Sequence, residues 1–291
     1  MADNTSSPLK FGSSQWLDVA KKGWARASQD NIGLVAAGVA FYAFLAMIPL
    51  MAAIILSYGL LADPQTIAAH MDKVFQMLPG EAASLVQGQL AGIVETSSAK
   101  KGLGLALALG AAYFSARGGA GAMILALNIA FDCKDGRSFV SRNITAIAIT
   151  LGAAVGIVLM VVAVAAFGAL GALWPNAPAI VLFLVKAATY LVLALAVATG
   201  AALLYRFGPA CKTAPLRWLS PGSALAAVAL VVLTLGFGFY VSNFGNYNAA
   251  YGSLGAVVVL LTWLWLSAYM ILLGAEFDAA LINRSDTPGT I

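Results

Sequence analysis

Charge is what this sequence has least of. Only 10% of its 291 residues are Asp, Glu, Lys or Arg, where a soluble domain carries about a quarter. With 61% hydrophobic residues and a mean hydropathy of +0.89, a soluble globule and a disordered chain are both excluded. Histidine occurs once, at His70, and cysteine twice, at Cys133 and Cys211, without C-x-x-C spacing. Neither a disulfide framework nor a zinc site is encoded by that pattern. There is no G-x-S-x-G elbow and no Walker lysine motif, which removes the usual hydrolase and ATPase signatures. The acids of the longest polar connection, Asp63, Asp72, Glu81 and Glu95, are isolated from one another, so the clustered ligands of a metal-dependent nuclease are missing. The chain is expected to be no enzyme, with no catalytic residue, no metal ligand and no cofactor.

What the sequence has in abundance is long apolar runs. A bilayer-spanning helix needs about 20 apolar residues, and six runs reach that length, at about 33–61, 102–124, 144–171, 179–205, 221–241 and 252–276. The alternation of apolar and polar residues that marks a membrane β-barrel is absent from the sequence. The expected fold is therefore an all-α polytopic membrane protein with six transmembrane helices. The cations fix its orientation, because cytoplasmic connections are the basic ones. Lys10, Lys21, Lys22, Arg26, Lys134, Arg137, Arg142, Arg206, Lys212, Arg217 and Arg284 fall on one side; Lys73, Lys100 and Lys101 fall on the other. Both termini are then cytoplasmic. The 16 Lys and Arg against 12 Asp and Glu form no continuous stripe, so the basicity reads as topology and no nucleic-acid partner is expected. No cleavable signal peptide is expected either, since no short apolar region with a small-residue cleavage site precedes the first run.

The domain reading follows. Residues 1–31 form a cytoplasmic segment, 32–282 a six-helix membrane domain, and 283–291 a cytoplasmic tail. Within 14–30, Trp16, Ala20, Trp24 and Ala27 share one helical face with Lys21, Lys22 and Arg26 off it. That pattern suits a helix lying at the headgroup level, or equally a solvated helix leading into the first span. Between the first two spans, Ile67, Met71, Val74, Phe75 and Leu78 repeat at helical spacing, Pro79 and Gly80 interrupt, and Val86, Leu90, Ile93 and Val94 resume. An external amphipathic helical hairpin over 64–97 is the expectation.

Short motifs mark the joints of these segments. They are Ala40-Phe41-Tyr42 with Pro49, Ala126-Leu127-Asn128 with Ala130-Phe131, Tyr205-Arg206 before Pro209, Pro221-Gly222, and Tyr251-Gly252-Ser253-Leu254-Gly255-Ala256 leading to Leu261, Trp263 and Gly274-Ala275-Glu276. In this order, from about Asn31 to Leu281, they resemble the YihY/BrkB family of bacterial inner-membrane proteins, once mislabelled as a ribonuclease. Ala46 departs from the serine that family often has ahead of the proline. The resemblance implies six spans and a role in the bacterial envelope, at the inner membrane, and brings no settled biochemical activity.

One charge falls deep in a span. Arg117 lies within Tyr113-Phe114-Ser115-Ala116-Arg117-Gly118-Gly119-Ala120-Gly121, and a guanidinium there costs at least ~2.5 to 3.5 kcal/mol on insertion scales. It needs a partner, a wet cavity or a path to the interface. The glycines beside it open two readings, a weakened helix that admits a ligand or a close-packing face from which Arg117 snorkels. Glu276, at the inner end of the last span, is the expected resting partner of Arg117. Lys186, near the outer end of the fourth span, snorkels or contributes charge. Arg117, Gly118, Gly119, Glu276 and Lys186 are thus the candidate ligand-binding residues. Pump-like cation coupling usually places a carboxylate near the midplane, and only Glu276 comes close to any span interior. Fixed positive charge beside glycines favours an anionic ligand, with membrane lipids as the expected partner. Three functions follow: a transporter-like envelope protein that moves or positions a lipid or other amphiphilic anion, a small-solute or ion transporter, or an envelope scaffold recruiting protein partners through the hairpin. Both cysteines fall in cytoplasmic connections and are expected to be independent, reduced thiols.

Overall fold

The computed structural model describes residues 12–61, 98–173, 178–211, 220–244 and 253–285. They form seven helices: α1 (Ser13–Gln29), α2 (Ile32–Leu61), α3 (Ser98–Ala130), α4 (Phe139–Leu173), α5 (Ala179–Phe207), α6 (Pro221–Phe244) and α7 (Ser253–Ser285). Helices α2 to α7 overlap the six apolar runs, with lengths that exceed those of the runs by one to ten residues. Among the described residues, four stretches are long and apolar enough to cross a membrane: Phe139–Gly156, Ile180–Phe207, Pro221–Val241 and Val257–Asn283. A fifth arises if α1 and the first part of α2, which meet at a 66° bend, are taken together. The expected hairpin over 64–97 lies outside the described residues, as do residues 1–11 and 286–291.

The helix surfaces explain why the chain belongs in lipid. Leu151, Val155, Leu159 and Val162 line an outward stripe of α4, and Phe183, Leu184, Leu191 and Leu195 do so on α5, all exposed. Apolar surface on that scale is unstable in water and natural against acyl chains. What is buried is small. The core is built from Ala27, Ala36, Ala126, Ala130, Ala201, Ala226, Ala268 and Ala275 around Leu127, Tyr205 and Leu272. Helices in a bilayer associate by close backbone approach rather than by hydrophobic exclusion, and alanine permits it.

The chain divides into two compact units. One comprises Met1–Ala40, Ala120–Gly245 and Thr262–Ile291; the other comprises Phe41–Gly119 and Asn246–Leu261. In the first unit, α1 docks on α7, and Trp16 and Ala27 of its apolar face take part. Val19, Gly23 and Ala27 are buried, Trp16 stacks on Phe277 with ring centroids 6.0 Å apart, and Trp24 is 62% exposed. Gly23 sets this rotation: the position of its missing Cβ lies 3.3 Å from the Phe277 Cα, so the helices meet where no side chain intervenes. Asn31, at φ 52°, makes the turn from α1 into α2, a left-handed conformation that asparagine tolerates better than most residues. Trp265 Nε1 donates to the Gly33 carbonyl at 2.8 Å, tying the start of α2 to α7.

Candidate functional site

Three groups of polar residues stand out in the first unit, and a fourth feature surrounds Arg117 in the second. The first group is centred on Arg26. Its Nε donates to Glu276 Oε2 at 3.2 Å, and its Nη2 donates to Asp132 Oδ2 at 2.8 Å and to the Ala130 carbonyl at 2.9 Å. The Glu276 side chain is fully buried, whereas Asp132 is mostly exposed. One guanidinium therefore joins α1, the end of α3 and α7. Asp132 reaches it because α3 ends in a reciprocal cap: Cys133 N donates to the Asn128 carbonyl at 2.8 Å and Asp132 N to that of Ile129 at 3.0 Å. This is the Schellman arrangement, with Asp132 at φ 53° in the left-handed position usually held by glycine. The sequence expectation paired Glu276 with Arg117. Within the first unit Glu276 receives Arg26, a residue that the sequence marks only as a topological charge.

The second group lies where α6 begins. Asp278, fully buried on α7, accepts from Gly222 N at 2.7 Å. It caps α6 from outside, placing negative charge where the helix dipole is positive. Ser220 and Ser223 complete the cap: Ser223 N donates to Ser220 Oγ at 3.0 Å and Ser220 N to Ser223 Oγ at 3.1 Å. The close approach depends on two glycines. A Cβ on Gly222 would sit 2.6 Å from Asp278 Cγ and overlap the Gly274 carbonyl; one on Gly274 would meet the Tyr205 hydroxyl at 2.6 Å and overlap the Gly222 carbonyl. That hydroxyl donates a short hydrogen bond to the Ile271 carbonyl. Sequence reading passed over Asp278, although it stands two residues beyond Glu276.

The third group fastens the connection after α3 to the end of α5. Asn128 Oδ1 accepts from Ala210 N at 2.7 Å, and its Nδ2 donates to Asp135 Oδ2 at 3.2 Å. Arg137 grips Asp135 through Nε at 3.0 Å and reaches the Gly208 carbonyl through Nη2 at 3.0 Å. The hydrogen-bonded Arg137 guanidinium holds the Asp135 carboxyl below the usual carboxylate range. At the same joint Cys133 and Cys211 form a disulfide, with Cα atoms 5.6 Å apart at a sequence separation of 78. This corrects the expectation of two independent thiols: spacing along the chain says nothing about two connections that the helices bring side by side.

In the second unit, Arg117 is half-buried on α3. Tyr113 and Phe114, one helical turn before it, are 54% and 73% exposed. A Cβ on Gly118 would lie 2.7 Å from Tyr42 Cδ1, and one on Gly119 would be 3.6 Å from Tyr42 Cβ. The glycine pair therefore seats the Tyr42 ring, the close-packing role weighed from the sequence. Position 186 falls within α5, and its side chain lies outside the described residues. Among the described residues, no three of His, Cys, Asp and Glu gather in a way that could hold a metal ion.

Asn128, Ala130, Tyr205, Gly222, Gly274 and Glu276, which take part in these joints, belong to the sequence motifs, and comparison with known proteins agrees. The family model described as virulence factor BrkB matches residues 24–290. The chain is similar to YfkH of Bacillus subtilis, a protein bearing a ribonuclease-like name. It is 33% identical over 217 residues, 73% of this chain and 77% of the relative. Over shorter stretches it is similar to two proteins named UPF0761 membrane protein. One is from Tolumonas auensis, 39% identical over 92 residues and 30% of each chain. The other is from Alkalilimnicola ehrlichii, 45% identical over 71 residues, 24% of this chain and 16% of the relative. No solved structure matches. With a family model spanning all but the ends of the chain, and its motif residues forming the contacts between helices, the chain belongs to the BrkB family of membrane proteins.

Proposed function

We propose that this protein is a six-span inner-membrane protein with cytoplasmic termini that moves or positions an amphiphilic anion, a lipid headgroup being the anion best suited to its surface. The observation that carries the reading is the setting of Arg117. The guanidinium is half-buried on a helix whose preceding turn exposes Tyr113 and Phe114, and residues three and four apart share a helical face. A fixed positive charge at the end of an exposed aromatic stripe offers an acyl chain its apolar contact and a phosphate its bidentate donor. Lipid mass spectrometry on the purified protein tests this. The wild type is expected to retain anionic phospholipid, Arg117→Lys to retain less, and Arg117→Ala to lose most of it, roughly tenfold. Equal anionic lipid in wild type and Arg117→Ala would overturn the reading.

The six-span topology has its own test. In a variant with both native cysteines replaced by serine, single cysteines introduced at Gln87 and Ser285 should respond oppositely to an impermeant thiol reagent in intact cells. Gln87→Cys is expected to be labelled and Ser285→Cys to stay protected. Labelling at both positions, or at position 285 alone, would refute cytoplasmic termini. The ribonuclease-like name belongs to the Bacillus relative, and the residues supporting the present reading are those of ligand binding rather than hydrolysis.

A further inference from the structure

We infer that Cys133 and Cys211 are a reversible thiol–disulfide pair, with Cys211 the thiol that meets external disulfides and Cys133 the one that closes the bond. The inference rests on how the joint is held. Asn128 binds the Ala210 amide at 2.7 Å, next to Cys211 in sequence, and Arg137 binds the Gly208 carbonyl at 3.0 Å. The cap of α3 meanwhile fixes Cys133 through its amide bond to the Asn128 carbonyl at 2.8 Å. Asn128 thus holds both cysteine-bearing segments, one by its side chain and one by its backbone. None of these bonds involves sulfur. Reduction removes the covalent link and leaves the two Cα atoms near their 5.6 Å separation, inside the range a disulfide bridges without backbone movement. A thiol pair kept together in this way closes as an intramolecular reaction, with the advantage in effective concentration that implies.

Exposure divides the labour. Cys211 is exposed and Cys133 half-buried. In exchange with a low-molecular-weight disulfide RSSR, the Cys211 thiolate attacks one sulfur, forming a mixed disulfide and releasing RS⁻. The Cys133 thiolate then attacks the Cys211 sulfur, forming the internal bond and releasing the second RS⁻. Two protein thiols are oxidised, one external disulfide is reduced to two thiols, and the two protons pass to the released thiolates. Lys134 and Lys212, each beside one cysteine in sequence, add positive charge of the kind that favours thiolate.

Intact-mass spectrometry on the full-length protein in detergent tests this, after reduction with dithiothreitol and exposure to oxidised glutathione. The wild type is expected to lose two hydrogens, carry no glutathione, and return to the dithiol with excess dithiothreitol. Cys133→Ser should trap one glutathione on Cys211, and Cys211→Ser should react roughly tenfold more slowly. Asn128→Ala, which leaves both thiols in place, should slow closure about fivefold by removing the side-chain hydrogen bonds to the Ala210 amide and the Asp135 carboxylate, so that the mixed disulfide accumulates. Two glutathiones on the wild type, no reaction at all, a bond that dithiothreitol cannot open in the folded protein, or equal rates for the two serine variants would each overturn the assignment.

Discussion

Replacing Arg26 by alanine is expected to destabilise the protein by about 3 to 5 kcal/mol, the usual consequence of removing one member of a buried ion pair. The loss comes from what is left behind. Glu276 is fully buried, takes a hydrogen bond from Arg26 at 3.2 Å and lies against the Asp30 carboxyl. Without the guanidinium the Glu276 and Asp30 carboxyls are left together with no cation between them, and the Ala130 carbonyl loses its donor. The bond to Asp132 contributes little, because that side chain is 66% exposed. Thermal unfolding in detergent should show a lower midpoint for Arg26→Ala, with Arg26→Lys intermediate because an ammonium cannot span three acceptors in a planar fork. Adding Glu276→Gln to Arg26→Ala should recover much of the loss, since a neutral amide costs less to bury than a charge. A midpoint for Arg26→Ala equal to wild type would show that α1 is not held by this pair.

Gly274→Ala and Gly222→Ala are each expected to cost about 1 to 3 kcal/mol or more through overpacking, by the same contact. At either position the new methyl meets the backbone carbonyl of the other glycine, and backbone cannot move aside as a side chain can. Spreading α6 from α7 also draws the Gly222 amide away from Asp278, leaving a fully buried carboxylate without its donor. The double variant should be little worse than either single one, because the first methyl has already parted the helices. Gly236→Ala and Gly238→Ala, on the same helix α6 with open space at the Cβ position, are the controls. Both should be neutral or slightly stabilising, as expected for alanine in a helix. Thermal midpoints across the four variants decide it: similar losses at all four would point to helix flexibility rather than contact at the crossing.

The helices were legible in the sequence and the joints were not. Apolar runs long enough for a bilayer announce themselves without any knowledge of neighbours, so the runs locate α2 to α7, with ends that differ by up to nine residues. The docked face of α1 was harder, because its contact centres on Gly23, which has no side chain to enter a periodicity argument. Of the apolar face that the sequence marks, Trp16 and Ala27 pack and Trp24 stands exposed. Arg26 and Glu276 are separated by 250 residues, and no local pattern links residues at that distance. The pairing of Cys133 with Cys211 was invisible for the same reason. Arg117 was found because a charge in an apolar run is conspicuous by itself, whereas Asp278 was missed because it reads as one more polar residue near a helix end. The family motifs located the important positions, yet only the geometry explains them: Asn128 binds a neighbouring connection, Gly222 and Gly274 permit a crossing, and Glu276 receives Arg26.

Arg26 and Glu276 also set a schedule for biogenesis. The ribosome makes α1 before α7, so the helix that carries Arg26 must wait for 250 further residues before its acceptor exists. At ordinary elongation rates of roughly 5 to 20 residues per second, that interval is about 12 to 50 seconds. Throughout it α1 has no α7 to lie against, and its Trp16 and Val19 remain available to the translocon, to chaperones or to the lipid surface. Docking of α1 onto α7 closes that interval. A product truncated before position 276 could insert its earlier spans and still present an undocked amphipathic helix, a ready mark for membrane proteolysis.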